Sequence, residues 1–248
     1  MLAQHIGLKK FGLRNRIWVM TFSDLVKSIF NKTRISRLKW HNLRSIQPVS
    51  RIHGRDRGTP IDRFYIEKFL KENQHFIKGK VLEIAESRYS KQFGNAVVSF
   101  EILHVEQQKH VTIVGDLTKP ETLPENAMDC FICTQVFNFI YDFHKAIEGA
   151  YRLLKPGGVM LATVSGISQV STYDAERWGH FWSFYPQGIE RAFKDIFGEK
   201  NVEVKTYGNS LSAISFIKGI AHQELTRSEL NFQDPDYPVS IAIVAKKG

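Results

Sequence analysis

Three carboxylates stand where a ligand site at strand ends would need them. Glu83 lies inside the apolar run Val81-Leu82-Glu83-Ile84-Ala85, Glu106 follows 23 residues later, and Asp116 closes a third apolar run. An acid among apolar strand residues is costly to bury without a partner, so Glu83 reads as functional, with helix capping or an ion pair as the alternative. A carboxylate accepts two hydroxyl hydrogen bonds at once, which suits Glu106 to a ribose diol. Its distance from Glu83 is close to the ~20 residues that separate a nucleotide-binding first turn from its ribose acid. Asp116 is placed to accept from an adenine amino group.

The loop after the first run, Glu83-Ile84-Ala85-Glu86-Ser87-Arg88-Tyr89-Ser90, has no glycine to let a pyrophosphate approach the backbone. Glu83 and Glu86 repel phosphates but accept from an ammonium or lie beside a sulfonium. That favours S-adenosylmethionine over NAD. Cys130 and Cys133, with His104-Val105-Glu106 upstream, partly match a zinc-deaminase signature, but Asp129 stands where its proline belongs. Strand residues three apart point to opposite faces. The two thiols therefore read as core cysteines, and no metal site is expected.

The elements that must position these residues follow from periodicity. Thr59-Pro60 reads as a helix start, Ile61 to Phe76 recurs at helical spacing, and Gly79 ends it. Lys80–Ala85 reads as a strand buried on both faces, followed by a polar loop through Ser90 and Gly94. Further strands are predicted at Ile102–Val105, Val111–Val114, Cys130–Thr134, Val159–Val164, Val202–Tyr207 and Val239–Ala245. Helices are predicted between Tyr141 and Leu154, from Pro186 to Phe197 and around Leu211–Glu224, with Lys155-Pro156-Gly157-Gly158 ending the first of them. Alternating strands and helices predict an α/β, doubly wound, mostly parallel seven-stranded sheet.

Charge divides the chain differently. Of its 248 residues, the first 57 carry thirteen Lys/Arg against two acids, a net +11, while the whole chain carries only +9. This predicts a basic, partly helical N-terminal extension over residues 1–57 and a globular domain over 58–248. The extension suits an anionic surface or partner. Ile17–Phe30 has amphipathic helical spacing and is too interrupted by polar residues for a spanning helix, which needs ~20 apolar residues. Two cysteines exclude a disulfide scaffold and make a reducing, cytoplasmic compartment the expectation.

The order Val81-Leu82-Glu83-Ile84-Ala85, Glu106, Gly115-Asp116-Leu117, Leu123 to Cys130, then Leu153-Leu154-Lys155-Pro156-Gly157-Gly158-Val159 resembles the class I S-adenosylmethionine-dependent methyltransferases over about residues 60–248. Arg57 to Tyr65 and Trp178 to Phe184 also resemble a bacterial subgroup often associated with glycosyltransferases. The resemblance implies a Rossmann-like fold with S-adenosyl-L-methionine as cofactor. It implies Glu83 and Ala85 near the methionine moiety, Glu106 on the ribose, Asp116 and Leu117 at the adenine, and Thr134 and Gln135 beside the methyl-transfer site; Glu86 is a cofactor-binding candidate through its charge in the same loop. Ala85 and Ser87 depart from the pattern, standing where glycines are expected. The function this implies is O-methylation of a saccharide or another small acceptor in glycan biosynthesis.

A hydroxyl acceptor needs a general base, and His180, with an ordinary pKa near 6.5, is the candidate. Tyr65, Gln135 and Trp178 are candidate acceptor contacts. The alternative is a catalytically degenerate relative that binds a glycosyltransferase or an anionic surface through residues 1–57. Nucleic acid is a poorer fit, because Thr134-Gln135-Val136-Phe137 stands where a base-modifying tetrapeptide is expected.

Overall fold

The computed structural model describes residues 44–248, so the predicted Ile17–Phe30 helix lies outside the described residues. The sheet grows from β1 (Gly79–Ile84), whose Val81, Leu82 and Glu83 are buried. Parallel to it run β2 (Val97–His104) and β4 (Met128–Thr134), with β3 (Ile113–Val114) beyond β2 and β5 (Leu154–Ser165) beyond β4. The seven strands are ordered β3-β2-β1-β4-β5-β7-β6. The last strand, β7 (Ser240–Lys246), enters antiparallel between β5 and β6 (Val202–Tyr207).

Strand alternation divides the core into two layers. One face holds Leu82, Phe131 and Cys133 under α3 (Phe143–Leu153) and α5 (Pro186–Phe197), which contribute Ile147 and Phe193. The other holds Val81, Cys130 and Ile132 under α1 (Ile61–Glu72) and α6 (Ser210–Lys218), which contribute Phe69 and Phe216. Cys130 and Cys133 thus face different layers, and burial pushes both thiols well above their ordinary pKa.

Several boundaries differ from the sequence expectation. Pro60, not Thr59, occupies the cap position of α1, and the helix stops at Glu72, with a separate turn at Gln74–Phe76. The loop expected after β1 contains a helix, α2 (Arg88–Phe93), and the segment after β5 contains the short α4 (Thr172–Ala175). Strand β2 begins five residues before Ile102 because it pairs with β1 from Val97 on; β3 pairs only with Leu103 and His104, which leaves the first half of β2 with one open edge, interrupted by Ser99 and Glu101. The Lys155-Pro156-Gly157-Gly158 turn lies within β5, with Gly157 at φ +78°. Helix α6 ends at Gly219, whose φ of +74° is a left-handed cap, before a further turn at His222–Glu224. Residues 49–57 lie on the domain: Val49 N donates to Lys218 O at 2.8 Å, and Arg57 Nε donates to Glu224 Oε1 at 2.9 Å.

Candidate active site

A cleft of about 600 Å³ opens at the carboxyl ends of β1, β2 and β4, where ligands bind in open α/β sheets. Its first wall is the turn after β1. Glu83 is 3% exposed and accepts from the backbone N–H groups of Tyr89 at 3.0 Å and Ser90 at 2.8 Å, and from the Ser90 hydroxyl. These bonds satisfy the orphan donors at the start of α2. Burial raises the Glu83 pKa despite the hydrogen bonds, and Glu86 adds to the rise. Glu83 thus caps α2 as well as lining the cleft.

Ala85 makes the sharp reversal between β1 and α2 at φ +66°, a left-handed conformation that favours glycine. Its N–H donates to Leu103 O at 3.1 Å. The backbone therefore takes the expected glycine geometry with an alanine in place. Glu86 lines the same wall.

Asp116 and Leu117 form the opposite wall. The Asp116 Oδ1 accepts from both the N–H and the hydroxyl of Thr118 at 2.8 Å, and Lys119 lies 3.7 Å from its second oxygen. Burial works to raise the Asp116 pKa, but the Thr118 bonds and Lys119 outweigh it and hold the carboxyl below its ordinary value. Gly149 of α3 permits this wall. A Cβ there would meet Leu117 O at 2.1 Å.

Glu106 is not part of the cleft wall. Strand β2 ends at His104, and the Glu106 N–H turns back to His104 Nδ1 at 3.0 Å, leaving His104 and Val105 as the lining residues. Tyr65 is a correction of a different kind. It is fully buried against Tyr207, ring centroids 5.8 Å apart, and its hydroxyl donates to Leu230 O at 3.1 Å, so it belongs to the core beneath α1.

Thr134 and Gln135 line the floor at the end of β4. Gln135 adopts φ +56°, its N–H donates to Thr163 O at 2.7 Å, and its Oε1 accepts from the Ser165 hydroxyl at 2.6 Å. Trp178 and His180 come from the segment after β5, Trp178 standing edge-on to His104 and His180 edge-on to Phe139. The Ser171 N–H donates to His180 Nδ1 at 3.2 Å, which places the proton of the neutral ring on Nε2. Burial lowers the His180 pKa against the opposing charge of Asp174. The ring thus meets a ligand as a donor, and with Nδ1 already accepting it has no free nitrogen for the general-base role expected of it.

Among the lining residues that sequence reasoning misses are His53, Arg55, Asp62 and Arg63. His53 adopts φ +62°, and Arg63 donates to the Tyr89 hydroxyl. Their place depends on α1 and the preceding segment closing over the sheet. The only local signal is an acid in the first turn of α1.

Comparison with known proteins matches a family model to the centre of this domain. Residues 77–162, about a third of the chain, match the family model described as a methyltransferase domain. No curated protein matches by sequence. Among solved structures, a SAM-dependent methyltransferase from Archaeoglobus fulgidus is 14% identical with a TM-score of 0.48, covering 75% of this chain and 94% of its own. The N-methyltransferase NodS from Bradyrhizobium japonicum WM9, in complex with S-adenosyl-L-homocysteine, is 13% identical with a TM-score of 0.47, covering 81% and 94%. A SAM-dependent methyltransferase from Mesorhizobium loti is 12% identical with a TM-score of 0.45, covering 72% and 98%.

The sheet order and the strand-end cleft define a doubly wound, Rossmann-like α/β fold. Within it, residues 77–162 are similar to a methyltransferase domain.

Proposed function

We propose that this protein transfers a methyl group from S-adenosyl-L-methionine to a hydroxyl of a saccharide or similar small acceptor in the cytoplasm, as a step of glycan biosynthesis. The observation that carries the reading is the charge of the cleft's cofactor half. Glu83, Glu86 and Asp116 line it, while Arg55 and Arg63 lie on the segment before α1 and on α1 itself. Three acids suit a sulfonium and an ammonium and disfavour the phosphates of a dinucleotide. Ala85 offers the tight turn that such a ligand's methionine part would follow.

The bound cofactor would supply an activated methyl group on sulfur. The chain's own residues would orient it, with Asp116 accepting from the adenine amino group, Leu117 packing on the ring, and Glu86 near the amino acid part. Glu106 is proposed to reach the ribose from outside the present wall. Holding the acceptor in line is a large part of such catalysis, up to ~7–11 kcal/mol. His180 would donate from Nε2 to an acceptor oxygen and Trp178 would cover it; as the oxygen–methyl bond forms and the sulfur–methyl bond breaks, the hydroxyl proton would leave to solvent. Acceptor chemistry is further supported by the resemblance of Arg57 to Tyr65 and Trp178 to Phe184 to a subgroup associated with glycosyltransferases. The basic residues 1–57 are proposed to contact such a partner or an anionic membrane surface. Among the described residues, no helix is long and apolar enough to cross a membrane.

Calorimetric titration with S-adenosylhomocysteine tests the reading. The parent should bind, and Asp116→Ala should weaken binding by about tenfold, ~1.4 kcal/mol. Absence of binding by a folded parent would sink it.

A further inference from the structure

Two residues that line the cleft carry polar atoms that the protein leaves unanswered. Among the described residues, five buried side-chain nitrogen or oxygen atoms have no hydrogen-bond partner, and two of them, Asp62 Oδ1 and Gln135 Nε2, belong to residues lining this one cleft. Buried polar groups are normally paired, so an orphan needs an explanation. Gln135 is held in place from both sides: its backbone bonds Thr163, its Oε1 accepts from Ser165, and that bond fixes the amide so that Nε2 is the unused end. Its φ of +56° adds a backbone cost at the same residue. Strain and unmet hydrogen-bonding capacity concentrate where a ligand supplies the missing interaction.

We propose that Asp62 and Gln135 are the acceptor-selecting pair of this cleft and that they recognise a neutral polyhydroxyl compound, one hydroxyl donating to Asp62 Oδ1 and one ligand oxygen accepting from Gln135 Nε2. This rests on the methyl-transfer reading above for what happens to the ligand, and not for its binding. The two orphans have opposite requirements. A phosphate offers only acceptors and is repelled by Asp62. An ammonium offers only donors, leaving Gln135 unmet, and it would share the cleft with Arg55 and Arg63. Hydroxyl groups do both. Along the same cleft, Ser168, Ser171 and the Nε2 donor of His180 supply further neutral hydrogen-bonding groups, and Trp178 and Phe139 offer aromatic surface to the carbon face of a ring.

The ionisation of Asp62 agrees with this geometry. Burial raises its pKa, against the opposing charges of Arg63, His53 and Arg55 and a backbone bond from Arg63. A group whose folded pKa is raised costs stability once pH rises above its unfolded value. Asp62 therefore costs the free protein stability at neutral pH. That is the mark of a residue kept for a ligand, since removing it should relieve the fold.

The test uses the full chain with Asp62→Asn and Gln135→Met, and it works before the natural acceptor is identified. Thermal unfolding at neutral pH should give Asp62→Asn a Tm equal to the parent's or up to about 4 °C higher. Saturation-transfer NMR with methyl α-D-glucopyranoside and methyl α-L-rhamnopyranoside should show binding to the parent and none to either variant. S-adenosylhomocysteine affinity should be unchanged within about twofold, ~0.4 kcal/mol. A Tm fall of more than about 4 °C in Asp62→Asn would make that residue a structural support and overturn the proposal. So would undiminished glycoside binding in both variants, or no glycoside binding by a parent that binds S-adenosylhomocysteine. If the parent binds glycoside but no S-adenosylhomocysteine, and both variants fail to bind glycoside, the pair is upheld and the methyl-transfer reading sinks.

Discussion

Ala85 holds a backbone conformation that costs an L-residue about 1–2 kcal/mol, at φ +66°, on the wall of the cleft. A glycine would remove that cost and lose about 0.5–1 kcal/mol of it again through the entropy of its unfolded state. Ala85→Gly should therefore stabilise the protein by about 0.5–1 kcal/mol, read as a higher urea midpoint at unchanged slope. A lower midpoint would mean that the methyl group makes interactions that outweigh the strain. The sequence exposes Ala85 as a departure but not its conformation, because nothing local distinguishes a relaxed alanine from one held in a reversal by flanking strand and helix. The same holds for the other residues of the site. Asp116 is legible because a strand end locates it, while Leu117 and Thr134 enter through the family resemblance. Glu83 is half legible: its burial follows from its apolar neighbours, but its partners Tyr89 and Ser90 belong to a helix whose start the acid itself caps. Tyr65 reads wrongly as a cleft residue because aromatic residues at helical spacing look alike whether they face a cleft or, as here, Tyr207 in the core.

At the scale of elements, the wall formed by Asp116 and Leu117 depends on how closely α3 approaches it. Gly149 is buried against that wall, and a Cβ built on it would lie 2.1 Å from Leu117 O and 3.0 Å from a Leu123 methyl carbon. Gly149→Ala must push the wall and the helix apart. Overpacking of this kind costs about 1–3 kcal/mol, and because the displaced backbone carries Asp116, S-adenosylhomocysteine binding should weaken together with stability. Gly188→Ala in α5 is the matched control, since nothing lies within 4 Å of its added Cβ. There alanine should raise stability by about 0.5–1 kcal/mol and leave binding alone. Equal loss of binding in both variants would detach the wall from α3. Elements built on their own periodicity, such as α5 at Pro186–Phe197 and β6 at Val202–Tyr207, stand in the sequence with their observed ends. Helix α2 does not, because its first turn is satisfied by an acid from β1. Nor does the first half of β2, where an unpartnered edge alternates exposed residues with half-buried ones.

For the whole molecule, the alternation of strands and helices makes the doubly wound class legible, but not that β7 enters antiparallel between β5 and β6, since β7 pairs with strands up to 87 residues before it and its own apolar run is the same in either direction. Charge is a property of this scale too, and it is uneven: residues 1–57 carry a net +11 in a chain whose total is +9. Near an anionic bilayer each Lys or Arg contributes about 1 kcal/mol, and the attraction fades as the screening length shrinks from ~10 Å at 0.1 M salt to ~3 Å at 1 M. The full chain should therefore sediment with vesicles containing phosphatidylserine at low salt and be released as salt is raised. Replacing Lys9, Lys10, Arg14 and Arg16 together with Gln should weaken that binding without lowering the Tm of the domain. A duplex DNA of matched charge is the competing ligand: phosphate contacts would give a steep linear fall of log affinity with log salt. Binding to the duplex with vesicles left unbound would assign the basic region to nucleic acid, and binding to neither would direct the search to an acidic protein partner.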